Sequence, residues 1–171
     1  MLWPTQPAGA IGSEQSGHTA AAKLEALHRA VDQGQQQVEE FSEEELNAYL
    51  QLRLAPEEPD VEGFPTSFVV NQINLAFTEN RFTGHIAAHW LWIPLTYEVA
   101  GSLAETAGRV DVAEQSVRIG HLPLRGFVEQ YALSRVQTLL REFDREQVVF
   151  DHIARVQIGD KIIRVMVAGE R

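Results

Sequence analysis

The sequence predicts an α+β fold: two N-terminal helices, a four-stranded antiparallel meander, an amphipathic helix and a C-terminal β-hairpin, arranged as a curved antiparallel sheet covered by helices. Three observations carry this. Successive segments between residues 68 and 119 alternate apolar and polar residues with the period of a half-buried strand. Two segments before them, and one after I-G-H-L-P-L, repeat their apolar residues at helical spacing. The strands follow one another instead of alternating with helices, which argues against a parallel α/β sheet.

Residues 1–17 read as a flexible leader, punctuated by Pro4, Pro7, Gly9, Gly12 and Ser13, and residues 18–171 as a single α+β domain. From Thr19 the pattern is helical, with Leu24, Leu27 and Val31 on one stripe. Gly34 and the glutamine run after it end that helix or leave a short extended link. Ser42 followed by Glu45 is a capping box, Phe41 and Leu46 form a hydrophobic staple across it, and Leu46, Tyr49, Leu50 and Leu54 make the buried stripe of a second helix. Pro56 and Pro59 stop it, and residues 55–65 form an acidic loop.

In the first strand Val69, Asn71, Ile73, Leu75 and Phe77 share a face, and Glu79-Asn80 is the turn that ends it. Phe82, Ile86, Ala88, Trp90 and Trp92 share one face of the second strand, while Thr83, His85, Ala87 and His89 occupy the other. Leu95, Tyr97, Val99, Gly101 and Leu103 follow in the third. In the fourth, Val110 and Val112 are out of phase with Val117 and Ile119, which predicts a bulge near Glu114. Val128, Ala132, Val136, Leu139 and Phe143 then line one side of a helix. Gly159-Asp160 joins the two strands of a terminal hairpin, and the sequence leaves residues 147–153 open among strand, loop and helix.

With 171 residues and 44% hydrophobic content, the chain supports one domain with a substantial core. Twenty-four acidic against 14 basic residues give a formal charge of −10, which opposes nucleic-acid binding and electrostatic docking on anionic lipid. The absence of cysteine excludes disulfides, thiolate nucleophiles and thiolate metal sites. The richest apolar stretch, 86–103, is interrupted by His89, Pro94, Thr96 and Glu98, unlike a spanning helix. The start has no basic n-region or apolar core of a signal peptide. M-L-W-P suits the stump of a removed anchor, so membrane attachment is expected only through such a missing N-terminal segment.

No catalytic set emerges. His85 and His89, four apart on a strand, stand about 13 Å apart, too far to share a metal. They are read as residues of a solvated sheet face, and no metal or cofactor is expected. Asp151 and His152 are adjacent, which on a strand sends them to opposite faces and makes them a poor dyad. The carboxylates at 39–45 and 57–62 belong to a capped helix start and a loop, as solvated charges. There is no G-x-S-x-G and no phosphate-binding glycine loop. The aromatic residues are core or, alternatively, the wall of a groove between sheet and helix that takes an acyl chain. Phe82, Trp90, Trp92, Tyr97, Val136 and Leu139 are the candidates for that wall.

F-S-E-E-E-L-N-A-Y-L at 41–50 and V-R-I-G-H-L-P-L at 117–124, in that order, resemble the YpmS-like group of bacterial envelope proteins of unknown function. The resemblance spans roughly 41–167 and implies an extracytoplasmic domain tethered by an N-terminal anchor. It assigns no catalytic residue. Arg125 stands where a second proline is common in the group, and neither anchor nor signal is in this chain, which leaves a cytoplasmic location open. Three readings follow: a non-enzymatic envelope domain binding a lipid or other apolar ligand; a protein-interaction or scaffold module with a fully packed core; and a small-molecule enzyme in a cone-shaped α+β fold with His85 or His89 as base. The first predicts an elongated apolar cavity, the second none, and the third a histidine beside a carboxylate in a pocket.

Overall fold

The computed structural model describes residues 12–54, 68–90, 93–106, 109–119, 122–123 and 144–169. Its elements are α1 (Glu14–Asp32), β1 (Gln37–Ser42), α2 (Glu43–Arg53), β2 (Phe68–Thr78), β3 (Arg81–Trp90), β4 (Ile93–Thr106), β5 (Arg109–Ile119), β6 (Leu122–Pro123), α3 (Asp144–Asp151), β7 (Ile153–Ile158) and β8 (Ile162–Val167). The fold is α+β with two antiparallel sheets, one in the order β1-β8-β7 and one in the order β2-β3-β4-β5-β6. The helical segment expected after Pro123, with Val136 and Leu139, lies outside the described residues, as do the leader's first residues and the acidic loop.

Helix α1 begins earlier than its apolar period predicts. Ser13 caps it by accepting the Ser16 N–H, and residues 14–17, assigned to a leader by their glycines and small polar residues, are helical. Gly17 is there for close approach. A Cβ on it would stand 2.6 Å from Leu52 Cδ1 and 3.1 Å from the Ala48 backbone, so α1 and α2 cross nearly backbone to backbone. At the other end Gly34 takes φ 61, and the bonds Gly34 N–H to Val31 and Gln35 N–H to Ala30 complete a Schellman cap.

Helix α2 carries the predicted capping box: Glu45 N–H bonds Ser42 Oγ at 3.1 Å, and Ser42 N–H bonds Glu45 Oε2 at 2.8 Å. Lys23 of α1 reaches the same Glu45 carboxylate at 2.8 Å and binds the two helices together. Strand β1, expected as at most an extended link, is a full edge strand paired with β8. Only Phe41 of it is fully buried, while Val38 is 45% exposed. On the outer side of this sheet Glu40 and Arg164 pair at 2.7 Å.

The four strands β2 to β5 are consecutive antiparallel neighbours. Asn80 turns β2 into β3 at φ 61, a value asparagine tolerates well. In the β4–β5 pairing Ala100 faces Ser116 and Ser102 faces Ala113, so Glu114 and Gln115 together oppose Gly101: this is the bulge the phase change predicted. In the terminal hairpin Lys161, at φ 60, is the left-handed residue, not the Gly159-Asp160 pair. Residues 144–151 are helix and strand begins at Ile153, which settles the segment the sequence left open.

The helices pack on one face of the three-stranded sheet. Ala20, Leu27 and Ala30 of α1, Phe41 of β1, Val149 of α3 and Val167 of β8 form the fully buried centre. The two sheets meet at the hairpin tip, where Lys161 N–H bonds the Phe77 carbonyl at 3.1 Å, and Asn80 N–H bonds the Ile158 carbonyl at 3.2 Å. Among the described residues no helix is long and apolar enough to cross a membrane.

Candidate functional site

Cross-strand register lines up the inner face of the meander in rows: Ile73 with Ile86 and Tyr97, Leu75 with Gly84 and Val99, Phe77 with Phe82 and Gly101. This face looks toward the helices and the apolar side of the three-stranded sheet. Between them lies a cavity of about 420 Å³. Ile73, Leu75, Phe82, Gly84, Ile86 and Val99 wall it on one side. Phe41, Ile158, Ile163 and Val165 wall it on the other, and Leu24, Tyr49 and Val149 close it from the helices. The surface the wall exposes is apolar, although Tyr49 and Glu146 contribute to the lining. Phe150, on α3, also lines it and is 55% exposed, so it marks the rim.

Of the residues expected to line a groove, Phe82 does so. Tyr97 is half-buried in the Ile73–Ile86 row but does not line the cavity. Trp90 lies on β3 opposite Ile93, and its side chain is outside the description. Trp92, Val136 and Leu139 are outside the described residues.

Side chains of α2 hold the β2 wall in place. Among the described residues β2 is an edge strand, and α2 supplies side chains where a further strand would pair. Asn47, 0% exposed, accepts the Leu75 N–H at 2.6 Å through Oδ1 and donates Nδ2 to the Leu75 carbonyl at 2.9 Å. Glu43 accepts the Phe77 N–H at 2.8 Å. Residues four apart on a helix rise about 6.0 Å, and residues two apart on a strand about 6.6–6.8 Å. The helix face and the strand edge therefore match, and the edge is closed to further pairing.

One polar group stands at the cavity's boundary. Glu146 of α3 is 6% exposed. Its Oε1 accepts the Tyr49 hydroxyl and lies 3.4 Å from Arg53 Nε. Its Oε2 is buried and has no hydrogen-bond partner among the described residues. A second, smaller hollow of about 170 Å³ lies beyond, lined by Ala21, Leu24, Glu25, His28, Tyr49, Glu146 and Val149. Leu24, Tyr49, Glu146 and Val149 line both hollows and form the partition. The sequence pointed to Tyr49 only as part of a buried stripe and did not single out Glu146. An acid three residues before an apolar position on a short helix carries no distinguishing signal.

The histidine expectation is corrected. His85 is 9% exposed, not solvated, and sits in a cross-strand row between Asn74, which is 1% exposed, and Glu98. Alternation assigns residues to two faces, but it does not say that the second face is open. His85 lines neither hollow. The His89 side chain is outside the description. Among the described residues no group of three or more His, Asp or Glu is placed to hold a metal ion. No family model, curated protein or solved structure matches this chain.

Proposed function

We propose that the protein is a non-enzymatic binding module that holds an apolar ligand, an acyl or alkyl chain, in the cavity between its two sheets. The observation that carries this reading is the cavity of about 420 Å³, whose exposed surface is apolar, with Phe150 at its rim. That volume falls within the usual range of small-molecule sites. The chain's resemblance to envelope proteins supports placing the module in the cell envelope.

Native mass spectrometry of protein taken from cells under gentle conditions tests the reading. A bound species that organic extraction removes, and that leaves a protein able to rebind one ten-carbon amphiphile per chain, is the expected result. Protein that arrives empty and takes up no such amphiphile would sink it. Val148 and Phe150, 37% and 55% exposed on α3, favour a second reading in which a partner protein's apolar side chains enter the rim. That reading predicts a stable complex or dimer in solution and no small-molecule adduct.

A further inference from the structure

We propose that the ligand is an amphiphile whose head donates hydrogen bonds, a primary amine or alcohol, and that Glu146 receives it at the partition between the two hollows. The inference rests on the apolar-ligand reading and names its chemical class. An alkyl chain lying in the larger cavity meets water at the Phe150 rim and, at the partition, the Glu146 carboxylate, which is the one buried acceptor among the described lining residues. The smaller hollow shares Leu24, Tyr49, Glu146 and Val149 with the cavity and adds Glu25 and His28.

Its charge decides the kind of head. The two carboxylates, Glu25 and Glu146, repel an anionic head. The nearby cation Arg53 is already engaged, its Nε 3.4 Å from Glu146 Oε1, and His28 Nδ1 lies 3.2 Å from Asp32. Glu146 Oε2 is buried and accepts no hydrogen bond from a described residue, a vacancy that normally costs a free-energy penalty. The terminal torsion of a glutamate is broad, and a rotation small enough to keep the Tyr49 hydroxyl on Oε1 adjusts Oε2 to a ligand O–H or N–H without moving the helix.

The experiment measures 1:1 binding of decylamine, 1-decanol and decanoate, below their micelle concentrations, by titration calorimetry and native mass spectrometry at neutral pH. Wild-type protein is expected to bind the amine and the alcohol at least tenfold more tightly than decanoate. Glu146→Gln is expected to erase that preference by weakening the amine tenfold or more, since an amide offers a donor where the head needs an acceptor. Glu25→Gln, at an exposed helix position, is expected to weaken the amine severalfold and the alcohol hardly at all. Decanoate binding as tightly as the amine and the alcohol would overturn the head-group assignment while leaving the apolar-ligand reading intact. Binding of none of the three would overturn both.

Discussion

Asn47→Ala will destabilise the folded protein by about 2–5 kcal/mol, because it leaves both the N–H and the carbonyl of Leu75 without partners at a buried strand edge. The side chain it removes is 0% exposed, so no water replaces the amide without a cavity forming. Urea denaturation is expected to show a lower midpoint with an unchanged slope. A second consequence follows from the same bonds: an uncovered β2 edge is a template for pairing, so the variant is expected to self-associate at concentrations where the wild type does not. Glu43→Gln, which retains an acceptor for the Phe77 N–H, is expected to cost under about 1 kcal/mol. Equal losses from Glu43→Gln and Asn47→Ala would mean that the bonds to β2 are incidental.

Gly84→Val will stabilise the protein, and Gly84→Phe will weaken the proposed binding of an alkyl chain. Gly84 lies in the middle of the cavity wall, in the row between Leu75 and Val99. A Cβ there meets Leu75 Cδ2 at 3.6 Å and the Val99 carbonyl oxygen at 3.8 Å, both ordinary contacts, and the rest of the side chain enters the cavity. Valine removes the entropic penalty of glycine in a strand, suits a pleated surface and fills empty volume. Together these are worth about 1–2 kcal/mol, or a few degrees in Tm. The phenylalanine ring takes the space an alkyl chain would use, and affinity for ten-carbon amphiphiles is expected to fall at least thirtyfold. If the space were already packed, valine would overfill it and destabilise by about 1–3 kcal/mol, the opposite sign in a thermal melt.

Much of the fold was legible because burial on one side of a strand writes itself as alternation. Ile73, Leu75 and Phe77, then Phe82 and Ile86, were assigned to one face, and that face walls the cavity. The bulge at Glu114 and Gln115 was legible as a slip in that alternation, and the start of α2 as a capping box, because each leaves a local signature. Strand β1 was not, since an edge strand with one fully buried residue, Phe41, shows no alternation to read. Gly17 misled for the opposite reason: glycine signals both a loose linker and the tightest helix contact, and only the neighbours at Ala48 and Leu52 decide between them.

The candidate site was less legible than the fold. A cavity is the space left by several elements, so Phe82 could be nominated from its strand, but the contributions of Val165, Ile158 and Leu24 arise only from packing. The roles of Asn47 and Glu43 depend on a strand edge 28 and 34 residues away in sequence. Glu146 owes its importance to Tyr49, 97 residues before it.

The central claim is that an alkyl chain lies between the two sheets. Intermolecular nuclear Overhauser effects between bound 1-decanol and the protein's methyl groups test it directly. Contacts from the chain protons to Leu75, Ile86 and Val99 on one sheet and to Ile163 and Val165 on the other, in a single complex, are the expected result. Contacts confined to Val148 on the surface of α3, or to Ala87 on the meander's opposite face, would contradict it.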